Sequence, residues 1–194
     1  EGAGLCPVRG HSNVQGDRTV GINHDPTSEF IDSLRREFGI QNLQTRGLDS
    51  VEAVRSMLQH EARVFLSMGG NFISAMSDTK TTSEAIRNCT LTVQISTKPN
   101  RSHLITGKQG IILPCLGRTE RDDSGGSEQF VTVENSMGVI QKSIGSRPPA
   151  SRYLRSEASI VSGIAMAIEE KIGVSEIKWR ELAKDYDMIR DSIE

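Results

Sequence analysis

Three polar stretches of the chain carry residue types that can hold a charged ligand. The first, CPVRGHSNVQGDRTVG at residues 6–21, sets Arg9, His11, Asn13, Gln15, Asp17 and Arg18 among Gly10, Gly16 and Gly21. With hardly an apolar side chain to bury, it predicts neither a helix face nor a strand but a loop shaped by its backbone. The second is SMGGN, Ser67 to Asn71. Gly69 and Gly70 would let the backbone approach a ligand closely, Asn71 could read a base or sugar edge, and amides at a helix start suit phosphate. The third, STKPNRSHL, runs from Ser96 to Leu104. Lys98 and Arg101 are cationic donors there, and Thr97, Asn100 and Ser102 neutral ones, a set that suits a pyrophosphate or nucleotide. Each stretch also has a plainer reading: a wrapping loop, an ordinary strand-to-helix turn, and a solvated surface loop. Together they ask for a large, hydrogen-bonding, anionic ligand.

The elements that must position these stretches are legible from periodicity. HDPTSEFIDSLRREFG predicts a helix capped by Asp25 or Thr27, with Phe30, Ile31, Leu34 and Phe38 on one face and Gly39 as its stop. In LDSVEAVRSMLQHE, Asp49 followed by Glu52 resembles a capping box, and Val51, Val54 and Leu58 line the face. RVFLSM and GIILPC are short apolar runs of the kind buried on both sides of a sheet, whereas TLTVQIST alternates as a half-buried strand does. RTERDDSGGSEQ is a charged, glycine-bearing loop expected to be mobile, and QFVTVENSMGVIQKS predicts a strand pair turning at Ser136 to Gly138. Two helices close the chain, one through Val161, Ile164, Ala165, Ile168 and Ile172, the other through Trp179, Leu182, Tyr186, Ile189 and Ile193. Helices alternating with buried strands predict a three-layer α/β domain, a mostly parallel sheet flanked by helices. In such sheets ligands sit outside the carboxyl ends of the strands, where SMGGN and STKPNRSHL fall.

Composition narrows the classes. Apolar content of 36% and charged content of 25% are those of an ordinary globular chain with a real core. A net charge of −2 argues against nucleic acid as a partner of the whole molecule, and no apolar run reaches the length of a membrane span. Cys6, Cys89 and Cys115 are widely separated, which disfavours disulfides and favours a reducing, cytoplasmic compartment; their spacing gives no metal site within this chain. A chain running from EGAGLC to RDSIE, with no start methionine and no visible signal peptide, is expected to be a segment of something longer.

With these residues in view, VRGHSNVQGDRTVG resembles the RGxNNVQGxxDxG segment of molybdopterin-dependent formate dehydrogenases, in particular their formate dehydrogenase-like branch. FLSMGGNF is similar to that family's glycine-asparagine loop, STKPNRSHL stands where its threonine-rich loop does, and IILPCLGRTERD resembles its ADVVLP…E strand and turn. QFVTVENSMGVIQ and WRELAKDYDMIRDSIE complete a resemblance that runs in order along the whole chain. It implies a formate dehydrogenase-like cofactor-binding domain over residues 1–194. Residues 1–25 would pack on other domains of the same polypeptide, 26–172 would form the α/β core and 173–194 a C-terminal helix. The cofactor implied is Mo-bis(molybdopterin guanine dinucleotide); an iron–sulfur cluster would belong to the rest of such a protein. Asn13, Gln15, Asp17, Ser67, Gly69, Gly70, Asn71, Thr97, Lys98, Asn100, Arg101 and Ser102 would bind that cofactor, and Arg9 would orient a small anionic substrate such as formate. An electron-transfer partner follows from the same resemblance. GHSN in place of GxNN, and GGN without the family's acidic residue and proline, leave the substrate open. A different class of function, a free-standing α/β nucleotide-binding or interaction module without redox chemistry, accounts for the same loops.

Overall fold

The computed structural model describes residues 13–39, 46–123, 125–126, 128–135, 137–173 and 177–193. The chain divides into two compact units. One comprises residues 1–47, 118–148 and 162–194, the other 48–117 and 149–161.

Two helices open the first unit. Helix α1 (Val14–Thr19) stands within the opening stretch, so residues 14–19 are not the loop expected from its lack of apolar residues; residues 6–12 lie outside the described residues. Asn13 precedes it and spends its side-chain amide on the later hairpin strand instead of on a cap: Glu134 N donates to Asn13 Oδ1 (2.8 Å) and Asn13 Nδ2 donates to Thr132 O (3.4 Å). Thr19 Oγ1 adds a hydrogen bond to Glu134 Oε2 (2.7 Å). The described part of the opening stretch is thus tied down by polar contacts, not left loose. Helix α2 (Ser28–Phe38) begins where Phe30 N donates to Thr27 Oγ1 and ends at Gly39, whose φ of 63° no branched residue would adopt cheaply.

The second unit holds the parallel sheet. Helix α3 (Ser50–Leu58) starts with the capping box foreseen from Asp49 and Glu52. Strand β1 (Val64–Met68) follows, then α4 (Phe72–Ala75), α5 (Thr79–Asn88), β2 (Leu91–Ser96), a 3-10 turn (Arg101–Leu104) and β3 (Gln109–Pro114). The three strands run parallel in the order β1-β2-β3, with Leu66 beside Val93 and Val93 beside Ile111. The α/β class expected from sequence, a parallel sheet flanked by helices, is the one observed. Val54, Met57, Ile73, Ala85, Ile86 and Cys89 form the core between α3, α4, α5 and the sheet, with Phe65 and Phe72 packed against it, their rings 5.1 Å apart. Asp78 caps α5; hydrogen bonds from Thr81 hold its carboxyl below the ordinary value of 3.8. That cap is therefore intact above about pH 4 and is lost as the pH falls through the lowered value.

Burial along the strands inverts the sequence reading. β2, whose polar alternation suggested one wet face, is the central strand and is buried on both: Thr92, Val93, Gln94 and Ile95 are all inside. β1 and β3, which read as doubly buried, are the outer strands, and Val64, Leu66, Met68, Ile111 and Ile112 are exposed. An apolar run reports the need for cover without stating which cover is at hand.

The remaining elements return to the first unit. β4 (Val131–Glu134) and β5 (Ile140–Ser143) form the expected antiparallel hairpin; Ser136 at its turn lies outside the described residues. The two ends of the preceding loop are held by one later residue: Tyr186 Oη donates to Asp122 Oδ2, and Tyr186 N donates to the buried Gln129. Helix α6 (Glu157–Ile172) begins in the second unit and continues in the first, and its apolar residues Val161, Ile168 and Ile172 are exposed while Ser162 is buried. The single C-terminal helix foreseen over 173–194 is two, α7 (Trp179–Lys184) and α8 (Tyr186–Ile193). Asp185 is extended between them and its side chain accepts from Asp187 N (3.0 Å), so a helix-start residue interrupts an otherwise continuous apolar period. Arg190 of α8 donates to Phe130 O (3.0 Å) and lies 3.9 Å from that ring, joining α8 to the hairpin.

This distribution of burial separates two isoleucines. Ile86→Ala, in the core, is expected to cost about 2–5 kcal/mol, whereas Ile111→Ala on the outer strand should cost within about 0.5–1 kcal/mol. Equilibrium urea unfolding of the two variants measures both; equal losses would contradict the core as described.

Candidate functional site

The loops after β1 and β2 meet at the carboxyl edge of the sheet, as their position after neighbouring parallel strands requires. Gly69 N donates to Ile95 O (2.8 Å), which carries the β1–β2 ladder one residue past the strand end. Gly69 and Gly70 then take φ values of 67° and 69°, and a Cβ built on either would meet no atom within 4 Å. Left-handed backbone explains why glycine stands at both. The open space in front of them leaves this backbone cradle accessible to a ligand.

The two loops are laced together by side chains. Asn100 Nδ2 donates to Gly70 O (2.7 Å), Ser102 Oγ donates to Asn71 Oδ1 (2.6 Å), and Ile73 N donates to Ser102 Oγ (3.2 Å). Within the second loop, Ser102 N donates to Asn100 Oδ1 (2.9 Å) and Asn100 N donates to His103 Nδ1 (2.9 Å), a reciprocal cap on the 3-10 turn. From below, Gln94 Nε2 of β2 donates to Ser102 O (3.1 Å). Ser67 Oγ donates to Gly69 O (3.3 Å) and Ser96 Oγ to Lys98 O (2.8 Å), so each strand end also fixes its own loop.

These bonds sort the candidate residues. Ser67, Asn100 and Ser102 use their polar atoms on the protein, which makes them shapers of the cradle; Asn71 does so through Oδ1. Thr97, Lys98 and Arg101 are exposed, and among the described residues none of their side chains has a hydrogen-bond or ion-pair partner. Two cations and a hydroxyl are thereby left at the rim of a glycine cradle, an arrangement suited to phosphate oxygens. Gln94 and His103 are members of the site that sequence reasoning passed over. Gln94 falls on the polar side of the TLTVQIST alternation; a carboxamide in mid-strand between Val93 and Ile95 is the available signal.

Asn13 and Asp17 belong to the other unit, Asn13 bonded to β4 as described and Asp17 exposed on α1. Gln15 also lies on α1, and its side chain, like the whole of Arg9, is outside the described residues. Among the described residues, no cluster of three or more His, Cys, Asp or Glu is placed to hold a metal. Cys89 is buried, and burial pushes its thiol up, away from thiolate chemistry. No helix of the described residues is long and apolar enough to cross a membrane.

No protein-family model matches the sequence. Similarity to curated proteins is nevertheless extensive. An uncharacterized oxidoreductase of Mycobacterium tuberculosis is 50% identical over 193 residues, which cover 99% of this chain and 24% of that protein. The corresponding uncharacterized oxidoreductase of Mycobacterium bovis is 50% identical with the same coverage. Protein YdeP of Escherichia coli is 43% identical over 193 residues, 100% of this chain and 25% of its own length. The chain thus spans about a quarter of the length of the curated relatives it matches.

The lacing makes a specific demand on Ser102. Ser102→Ala would leave the buried Ile73 N–H without its acceptor and detach Asn71, at an expected cost of about 1–3 kcal/mol. Thr97→Ala, removing an exposed hydroxyl with no partner, should change stability by less than about 0.5 kcal/mol. Thermal or chemical unfolding of the pair is the check, and a neutral Ser102→Ala would show that the two loops are not held through it.

Proposed function

We propose that the chain is a cofactor-holding α/β segment of a larger oxidoreductase, and that the cradle at the carboxyl edge of its sheet takes the nucleotide end of a pterin guanine dinucleotide. The carrying observation is the pair of left-handed glycines, Gly69 and Gly70, facing open space beside unpartnered Lys98 and Arg101. Relatives named oxidoreductases support redox chemistry for the whole protein, and the sequence resemblance supports Mo-bis(molybdopterin guanine dinucleotide) as the group and formate or a similar small anion as the substrate.

The described residues fit the organic part of that group. A backbone cradle that no side chain fills, two exposed cations and an exposed hydroxyl suit the charge and hydrogen-bonding of a pyrophosphate. When bound, the cofactor would supply the two-electron chemistry; its metal would be held by residues outside those described. This chain's own contribution is positioning. Asn100 and Ser102 set the distance between the two loops, Gly69 and Gly70 admit the ligand to backbone contact, and Lys98 and Arg101 neutralise its charge. Arg9 is assigned to orient the anionic substrate, in a cytoplasmic enzyme that passes electrons to a partner.

Two measurements on the full-length protein test the reading. Replacing Lys98 and Arg101 together by alanine should lower its content of molybdenum and of GMP released by acid hydrolysis at least about tenfold, the loss expected for two charge-assisted contacts. Unchanged GMP content would remove both residues from the site. Arg9→Ala should keep molybdenum and GMP but lose about a hundredfold in turnover, on the order of 3 kcal/mol of transition-state stabilisation. Loss of metal together with activity would make Arg9 a structural residue instead.

A further inference from the structure

The outer edge of β1 is an unusual surface for a strand that ends a sheet. Gly69 N donates to Ile95 O, and Arg63 O accepts from Thr90 N (2.7 Å), so the odd-numbered residues of this segment turn their peptide groups toward β2. Strand alternation then directs the N–H and C=O of Val64, Leu66 and Met68 outward, away from β2. The same three residues expose their side chains, at 62%, 47% and 51% of full accessibility. Among the described residues, no partner meets those peptide groups, so one row of residues offers both open peptide groups and apolar side chains. Val64–Met68 contains no charge, proline or bulge, the devices by which edge strands are usually protected. The opposite edge is treated differently: beyond β3, Cys115 bridges to Arg155 and Leu116 N donates to Arg155 O (2.9 Å), so the chain's own later segment begins to cover it.

We propose that the edge of β1 is a strand-docking surface, filled by an apolar strand from the part of the same polypeptide that lies outside these 194 residues. This rests on the reading of the chain as a portion of a larger oxidoreductase. Relatives of which it makes up about a quarter supply ample further sequence. Pairing through five residues buries far less than the roughly 800 Å² per partner of a stable association, so a second copy of the chain is poorly served by this edge. A strand tethered in the same polypeptide is held at high effective concentration and needs no such area. The incoming strand adds backbone hydrogen bonds to residues 64, 66 and 68 and covers their side chains with its own apolar row.

Amide hydrogen exchange of the full-length protein, resolved to single residues, tests this. The amides of Val64, Leu66 and Met68 should exchange at least on the order of a hundredfold more slowly than free peptide amides. Exchange at the free rate at all three, with Phe65 and Ser67 protected by β2, would overturn the proposal. Leu66→Pro deletes only an outward N–H, a change that edge strands tolerate, and should release Val64 and Met68 to fast exchange while Phe65 and Ser67 stay protected. Leu66→Ala keeps the N–H and should keep the protection. Protection that grows with protein concentration, accompanied by dimer in sedimentation, would assign the edge to a second copy and overturn the proposal. A full-length protein that protects these amides yet carries no redox cofactor would sink the oxidoreductase reading while leaving the docked strand supported.

Discussion

Burial of Gln94 in the middle of the sheet is the constraint on which the carboxyl edge depends. A carboxamide placed between Val93 and Ile95 on a strand covered from both sides has lost its water and must find protein partners or cost about 1–3 kcal/mol. It finds the carbonyl of Ser102. Thr92, two residues earlier on the same face, meets the same demand by accepting from Gly107 N and donating to Gln109 O, both 3.3 Å. The crossover between β2 and β3 is therefore held against the sheet at its start and at its end. Its geometry at Asn100 and Ser102 is a consequence of satisfying polar groups below, and Asn71 and Gly70 are drawn in through those two residues.

That chain of dependence divides labour between neutral and charged groups. Amides and hydroxyls, which form well-directed bonds at small desolvation cost, build the frame. Lys98 and Arg101, which would be costly to bury and gain little from exposed ion pairs, stay at the rim. A frame of this kind is closed by the protein's own bonds, so the conformational cost of ordering the loops falls on folding, not on binding.

What could be read from sequence was whatever local chemistry decides. The Asp49–Glu52 capping box, the stop at Gly39, the β4–β5 strand pair and the two loops after β1 and β2 all follow from a few neighbouring residues. Features decided by distant partners were misread. Thr92 and Gln94 gave β2 the alternation of a half-wet strand because their partners lie up to 17 residues away. Val64–Met68 and Ile111–Leu113 have the composition of buried strands, yet much of their surface is exposed. Helix α1 escaped notice because its contacts with β4 are polar, through Asn13 and Thr19, and leave no apolar stripe. At the site, the cations were legible as free donors. The roles of Asn100 and Ser102 as fasteners were not, since a side chain that binds a ligand and one that binds its own backbone have the same spelling.

Gln129 has a consequence for how this protein tolerates change. Its carboxamide donates to Lys184 O (2.6 Å) and accepts from Tyr186 N (3.1 Å), standing in for the peptide link that the helix break at Asp185 leaves unpaired. Seven residues earlier, Asp122 accepts from the Tyr186 hydroxyl. Both ends of the intervening loop are thus bolted to the same short stretch of the C-terminal helices. Closure entropy grows only slowly with loop length, so added residues there would cost little on that account, but Gly125 lies between the two bolts against Lys184 O and the Gln129 amide, where a side chain has no room. A single added residue between Gln129 and β4 would pull Phe130 off Arg190 and rephase every side chain of the hairpin.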